Sequence, residues 1–171
     1  AILGDINVID YTSLGPIVQT QPLPVEIFKK KFLLVYTGKS HHSGINNWHV
    51  IQQYLDGNEK IQRAFDKLGD ISHQMVQAVT QKNFSKLPEL FKKEFEARCD
   101  LSQEFSSPEI EKLSQLAQKH QAVAKICGAG GGGCVMIWCE NENRQEVKSD
   151  CEKNGFKFIK MTEDDIFGVK P

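Results

Sequence analysis

At 171 residues, 40% of them hydrophobic, the chain is long enough to bury a core and reads as a folded domain rather than a fibrous or disordered segment. Its 21 basic and 22 acidic side chains give a net charge of −1 and are interspersed, which argues against a nucleic-acid partner or an anionic membrane surface. No apolar run reaches membrane-spanning length, no signal peptide is visible, and five cysteines without C-x-x-C spacing point to reduced thiols in a cytoplasmic protein, not to structural zinc or a disulfide framework.

Ile6, Val8 and Ile9 open an apolar alternation that Gly15–Pro16 breaks. Ile17–Val18 begins a second extended run that ends at Gln21–Pro22–Leu23–Pro24. This predicts a hairpin within 1–24. A lone hairpin is marginal in water, so it is expected to join a larger sheet. Lys31 to Thr37 is a strand, with Phe32, Leu33, Leu34, Val35 and Tyr36 consecutive. The turn behind it, Thr37–Gly38–Lys39–Ser40–His41–His42–Ser43, is small, polar and basic. Ser40 or Ser43 is expected to cap the next helix. A basic turn at a helix start suits a phosphate or sugar hydroxyls. His41 and His42 have no acidic or cysteine partner at ligand spacing, so they read as a solvated or substrate-contacting turn rather than a metal site.

Trp48 to His120 is helical in pattern. Ile61, Phe65, Leu68, Ser72, Met75, Val76 and Val79 mark one face of a long helix. Leu87, Leu90, Phe91, Glu94, Phe95 and Leu101 mark a second, behind Ser85 as cap. A third begins at Ser107–Pro108–Glu109, with cap, proline and acid in the expected order, and carries Ile110, Leu113, Leu116 and Ala117. These stripes read as core and are assigned no chemistry.

Five of the six residues from Gly128 to Gly133 are glycine, between apolar runs that read as strands. Such a loop is either a ligand-facing nest of backbone N–H groups or a tight structural turn. Gly128, Gly130 and Gly133 satisfy G-x-G-x-x-G, but a strand follows where a dinucleotide site needs a helix. Gly38–Lys39–Ser40 imitates a Walker A ending, but Leu33 stands where its leading glycine belongs. Cys134 to Cys139 is a strand and Asn141 to Asn154 a helix ended by Gly155. Phe156 to Met161 is a last strand that Ile166–Phe167 extends. The sum is α+β: an antiparallel-rich sheet packed against several helices, on one face.

Lys125-x-x-Gly128–Ala129–Gly130–Gly131–Gly132–Gly133 resembles the third, C-terminal motif of the GHMP small-molecule kinases. Leu33 to Ser43 is similar to the strand and turn that open that family's C-terminal domain. The Thr-Gly-x-Ser/Thr pattern is closest to D-glycero-D-manno-heptose 7-phosphate kinases, as is Asn7–Val8–Ile9–Asp10–Tyr11. The resemblance implies a layered C-terminal domain over 25–171, with the 1–24 hairpin continuing the sheet of an N-terminal half outside this sequence. It implies transfer of the γ-phosphoryl of ATP to a hydroxyl of a sugar or sugar phosphate. Mevalonate or galactose as acceptor, or a non-catalytic binding module, are the alternatives. ATP and Mg²⁺ would be held mainly by the N-terminal half. Lys125, Gly128, Ala129, Gly130, Gly131, Gly132 and Gly133 would face phosphate, and Thr37, Gly38, Lys39, Ser40, His41 and Ser43 the acceptor. That branch commonly carries arginine where His41 stands, so the acceptor is open at this point. The catalytic aspartate is expected before Ala1, and neither Asp5 nor Asp10 is promoted to that role. The chain alone is expected to be inactive, and its hairpin edge offers a route to a homodimer.

Overall fold

The computed structural model describes residues 5–22, 25–39 and 43–160, residues 43–46 by their backbone only. Strand β5 (Cys134–Trp138) lies inside a four-stranded sheet of order β4-β5-β3-β6, all neighbours antiparallel. Its partners are β4 (Val123–Ile126) and β3 (Phe32–Tyr36), and the short β6 (Lys157–Ile159) closes the far edge beside β3. In chain order the helices are α1 (Val25–Lys31), α2 (Ser43–Leu55), α3 (Glu59–Thr80), α4 (Leu87–Leu101), α5 (Pro108–Lys119) and α6 (Arg144–Lys153). From β3 onward this is a β-α-β-β-α-β arrangement, with α2–α5 filling the first crossover and α6 the second. The α+β class and the antiparallel sheet expected from the sequence are those of the structure.

Side chains alternate across the sheet. Leu33, Val35, Ala124, Ile126, Val135 and Ile137 are buried against Ile110, Leu113 and Ala117 of α5 and Val147 and Cys151 of α6. Phe32 and Trp138 point the other way, into a second cluster with Ile71 and Ala78 of α3 and Leu87, Leu90 and Phe91 of α4. Phe32 and Trp138 meet edge to face, 4.9 Å between centroids. Helices therefore cover both faces rather than one. The reason was present in β5, whose residues are apolar on both sides, the pattern of a doubly covered strand.

Other differences are local. Helix α1 precedes β3 where no element was expected. The buried face of α3 is Ile61, Ala64, Ile71 and Ala78, while Phe65 stands at the surface against the edge of the Tyr54 ring. The small alanines set the phase, because they let a neighbouring helix approach closely. Ser85 does not cap α4. The helix is entered through a 3₁₀ turn at Phe84–Lys86, and the Ser85 hydroxyl donates to Asn83 instead, at 2.8 Å. Ser107 caps α5 as expected, accepting from Ile110 N–H.

The hairpin of β1 (Ile6–Thr12) and β2 (Gly15–Gln21) pairs from Ile6↔Gln21 to Thr12↔Gly15 and forms a two-stranded sheet of its own. It is not an edge of the four-stranded sheet. Leu23–Pro24 and the expected strand extension at Ile166–Phe167 lie outside the described residues. Among the described residues no helix is long and apolar enough to cross a membrane.

Candidate functional site

The glycine loop joins β4 to β5, and three sets of contacts hold it. On one side the backbone of Phe105 presses against it: Gly131 N–H donates to the Phe105 carbonyl at 2.8 Å. Gly130 has φ +81, and a Cβ there would sit 2.5 Å from that same carbonyl oxygen. Only glycine allows both the positive φ and the close approach.

On the second side stands the turn after β3. The N–H and the hydroxyl of Thr37 both donate to the Gly133 carbonyl at 2.9 Å, and Gly133 N–H donates to the Lys39 carbonyl at 2.8 Å. The two segments singled out in the sequence, 96 positions apart, are thus joined directly. Thr37 is buried and its hydroxyl faces backbone, so it fixes the turn rather than lining open space. Lys39 pairs with Glu109 in the first turn of α5 at 2.5 Å. That ammonium holds the Glu109 carboxyl below the usual carboxylate range. Gly38 is exposed with φ +85. Ser40 and His41 lie outside the described residues. Ser43 opens α2.

The third set comes from α4. The Arg98 guanidinium donates to the Gly128 carbonyl at 2.7 Å and to Glu94 at 2.5 Å. The other Glu94 oxygen accepts from Lys125 Nζ at 3.1 Å, and that ammonium also sits 5.8 Å from the centre of the Phe91 ring. Glu94 is 8% exposed. A carboxylate so buried is tolerable because two cations flank it. The trio carries one net positive charge, placed on the wall of a cavity of about 600 Å³. Gly128, Ala129 and Lys125 form one side of this cavity, with Asn47, Ser72 and Met75 among the opposing residues. Ala129 and Gly132 N–H donate to no group among the described residues.

Glu94 was read only as a member of an apolar stripe, and Arg98 was not singled out. The available signal was the charge itself: an acid at a core position with an arginine four residues on, which faces the same way along a helix. Phe105 acts through its backbone, for which no residue-type signal exists.

The GHMP kinases C terminal family model matches residues 75–157, a span that contains α4, α5 and the whole glycine loop. The chain carries a GHMP kinase C-terminal domain. It is 29% identical over 128 residues to probable glucuronokinase 2 of Arabidopsis thaliana, a match covering 72% of this chain and 34% of that protein. In structure it is similar to the Lin0012 protein of Listeria innocua, with TM-score 0.76 and 19% identity over 86% of this chain and 42% of that one. It is similar also to the phosphomevalonate kinase of Streptococcus pneumoniae in complex with phosphomevalonate and AMPPNP, with TM-score 0.66 and 22% identity over 87% and 43%. The chain therefore spans about a third of the curated relative and under half of the solved ones. Within this GHMP kinase C-terminal domain, the Thr37–Lys39 turn lies ahead of the matched span, and its hydrogen bonds to Gly133 tie it to the motif.

Proposed function

We propose that this GHMP kinase C-terminal domain forms the phosphate- and acceptor-facing wall of an enzyme that moves the γ-phosphoryl of ATP to a hydroxyl of a sugar or sugar acid. One observation carries the reading: a held glycine loop, whose Gly128, Ala129, Gly130 and Gly132 N–H groups donate to nothing among the described residues, borders with Gly128 and Ala129 a cavity that also receives Arg98 and Lys125. Phosphoryl transfer spreads negative charge over the phosphoryl oxygens, and prearranged donors stabilise that charge without reorganising. Ala129 and Gly132 N–H suit an anion. ATP supplies the phosphoryl group. Mg²⁺ in such a site would be held through the ATP phosphates and one or two carboxylates; among the described residues no three metal-ligating side chains cluster.

The cations support an acidic acceptor: a uronic acid brings a carboxylate, which the net positive charge of the Arg98–Lys125–Glu94 group attracts. The name of the curated relative, a glucuronokinase, agrees with such an acceptor. The resemblance to heptose 7-phosphate kinases rests on the Thr-Gly-x-Ser/Thr turn and on Asn7–Tyr11; position 41, where the sequence departs from that branch, lies outside the described residues. Asp5 and Asp10 are both exposed on the hairpin and receive no catalytic role.

The test is ADP release by the intact protein that carries this chain, with glucuronate, galactose, mevalonate and heptose 7-phosphate as acceptors. Turnover on glucuronate, with a KM that Arg98→Gln raises tenfold or more while the galactose KM moves less, supports the proposal. Binding of Mg·ATP and sugar without turnover identifies a binding module instead. Turnover on mevalonate alone removes the sugar-acid assignment.

A further inference from the structure

Cys127 and Cys134 stand at the neck of the glycine loop. The β4–β5 register runs Lys125↔Met136 and Ile126↔Val135, so the next pair outward is Cys127 opposite Cys134. Cys127 N–H donates to the Cys134 carbonyl at 3.1 Å, which continues that pairing into the loop. Directly opposed residues of an antiparallel ladder place their side chains on one face, with Cα atoms about 5.5 Å apart in a hydrogen-bonded pair. A disulfide accepts Cα separations of about 4.4–6.8 Å. Both thiols are free and partly exposed, whereas Cys139 and Cys151 are buried.

We propose that Cys127 and Cys134 form a reversible cross-strand disulfide that closes the glycine loop into a ring, made by hydrogen peroxide and undone by a dithiol. First, the Cys134 thiolate takes one peroxide oxygen; the O–O bond breaks, and the departing hydroxide collects a proton to leave as water. The product is a sulfenic acid. The Cys127 sulfur then attacks the sulfenic sulfur, the S–S bond forms, and hydroxide leaves as a second water with the thiol's proton. Two thiols lose two electrons in total, and one peroxide becomes two waters. Cys127 is left to the second step because burial pushes its thiol up, the Lys125 ammonium only partly offsetting this, so it does not take peroxide first. Its place opposite Cys134 is what brings it to the sulfenic sulfur. Cys99 is also pushed up, by burial and then by Glu111, Asp100, Glu94 and Glu96, which keeps it out of the thiolate form that reacts. The disulfide stands on the register alone. Its consequence, altered phosphate affinity of the locked loop, rests on the kinase reading.

The experiment treats the intact protein with hydrogen peroxide and reads free thiols and peptide masses. Trypsin leaves Cys127, Cys134 and Cys139 in one peptide, from Ile126 to Arg144. The expected result is that peptide lighter by two hydrogens, with fragment ions missing between positions 127 and 134, and full reversal by dithiothreitol. Cys127→Ser leaves a Cys134 sulfenic acid that dimedone traps, while Cys139→Ser leaves the ring intact. Hydrogen exchange of Gly128–Gly133 slows several-fold on oxidation of the wild-type protein, a readout that needs no variant. A bridge to Cys139 or Cys99, a bridge between two copies, or two thiols that remain alkylatable after peroxide overturns the proposal. If the ring forms but ATP affinity is unchanged, the disulfide stands and the phosphate-loop reading fails.

Discussion

Thr37 donates two hydrogen bonds to the single carbonyl of Gly133, one from its N–H and one from its hydroxyl, both 2.9 Å. The strand-end turn and the glycine loop are therefore one unit. Thr37→Val keeps the shape and the N–H but deletes the hydroxyl bond at a buried site. The expected loss is about 1–2 kcal/mol in denaturant unfolding. Thr37→Ser, which keeps the hydroxyl, loses less. Equal losses for the two would show that packing of the methyl group, not the hydroxyl, matters here.

Gly130 and Gly128 separate two effects. Both have positive φ, but a Cβ at Gly128 meets nothing within 4 Å, while one at Gly130 meets the Phe105 carbonyl. Gly128→Ala carries only the conformational cost, about 1–2 kcal/mol. Gly130→Ala adds a clash with backbone, so its melting temperature falls further and Gly131 N–H exchanges faster as its bond to Phe105 breaks. The reverse order of the two melting temperatures contradicts this packing.

Glu94 pairs with two cations at the cavity wall. Glu94→Leu leaves Arg98 and Lys125 without their shared carboxylate in a largely buried place. The expected destabilisation is about 3 kcal/mol. Adding Lys125→Met to that variant recovers part of the loss. A double-mutant cycle on Glu94 and Lys125 measures the coupling, and a coupling near zero contradicts the pairing.

Asp150 gives a pH signature away from the site. Hydrogen bonds from Lys119 and from His120 hold its carboxyl down, from 3.8 to about 2. A pKa lower in the folded state contributes stability that is present above the unfolded value and lost as pH falls through the folded one. The melting temperature of the wild type should exceed that of Asp150→Asn at neutral pH. The gap should close between about pH 4 and pH 2. A gap that persists at pH 2 shows that the amide fails for another reason.

The 171 residues by themselves are expected to show no kinase activity and to bind Mg·ATP weakly. The unengaged N–H groups and the Arg98–Lys125 charge are few contacts against an association cost of at least about 4 kcal/mol. Calorimetry with Mg·ATP and a phosphoryl-transfer assay on sugars and mevalonate check this. Micromolar binding or turnover shows that these residues hold a complete site.

What the sequence determined by itself was whatever depends on neighbours along the chain. The run of glycines between apolar strands marked the loop, Ser107–Pro108 marked the start of α5, and Phe32 to Tyr36 could only be a strand. These signals are local because backbone conformation and one-turn capping are local. Tertiary structure alone decided that helices cover both faces of the sheet, that Thr37 is a buried staple, and that Gly130 abuts Phe105. It also decided that Glu94, read as one more member of an apolar stripe, is the buried counter-ion of Arg98 and Lys125. Each of these depends on a backbone group or a charge brought from a distant element, and hydrogen bonds to the backbone leave no mark on residue type. Which side chains meet across 96 positions of chain is fixed by how β3 and β5 pair, and only the folded sheet contains that register.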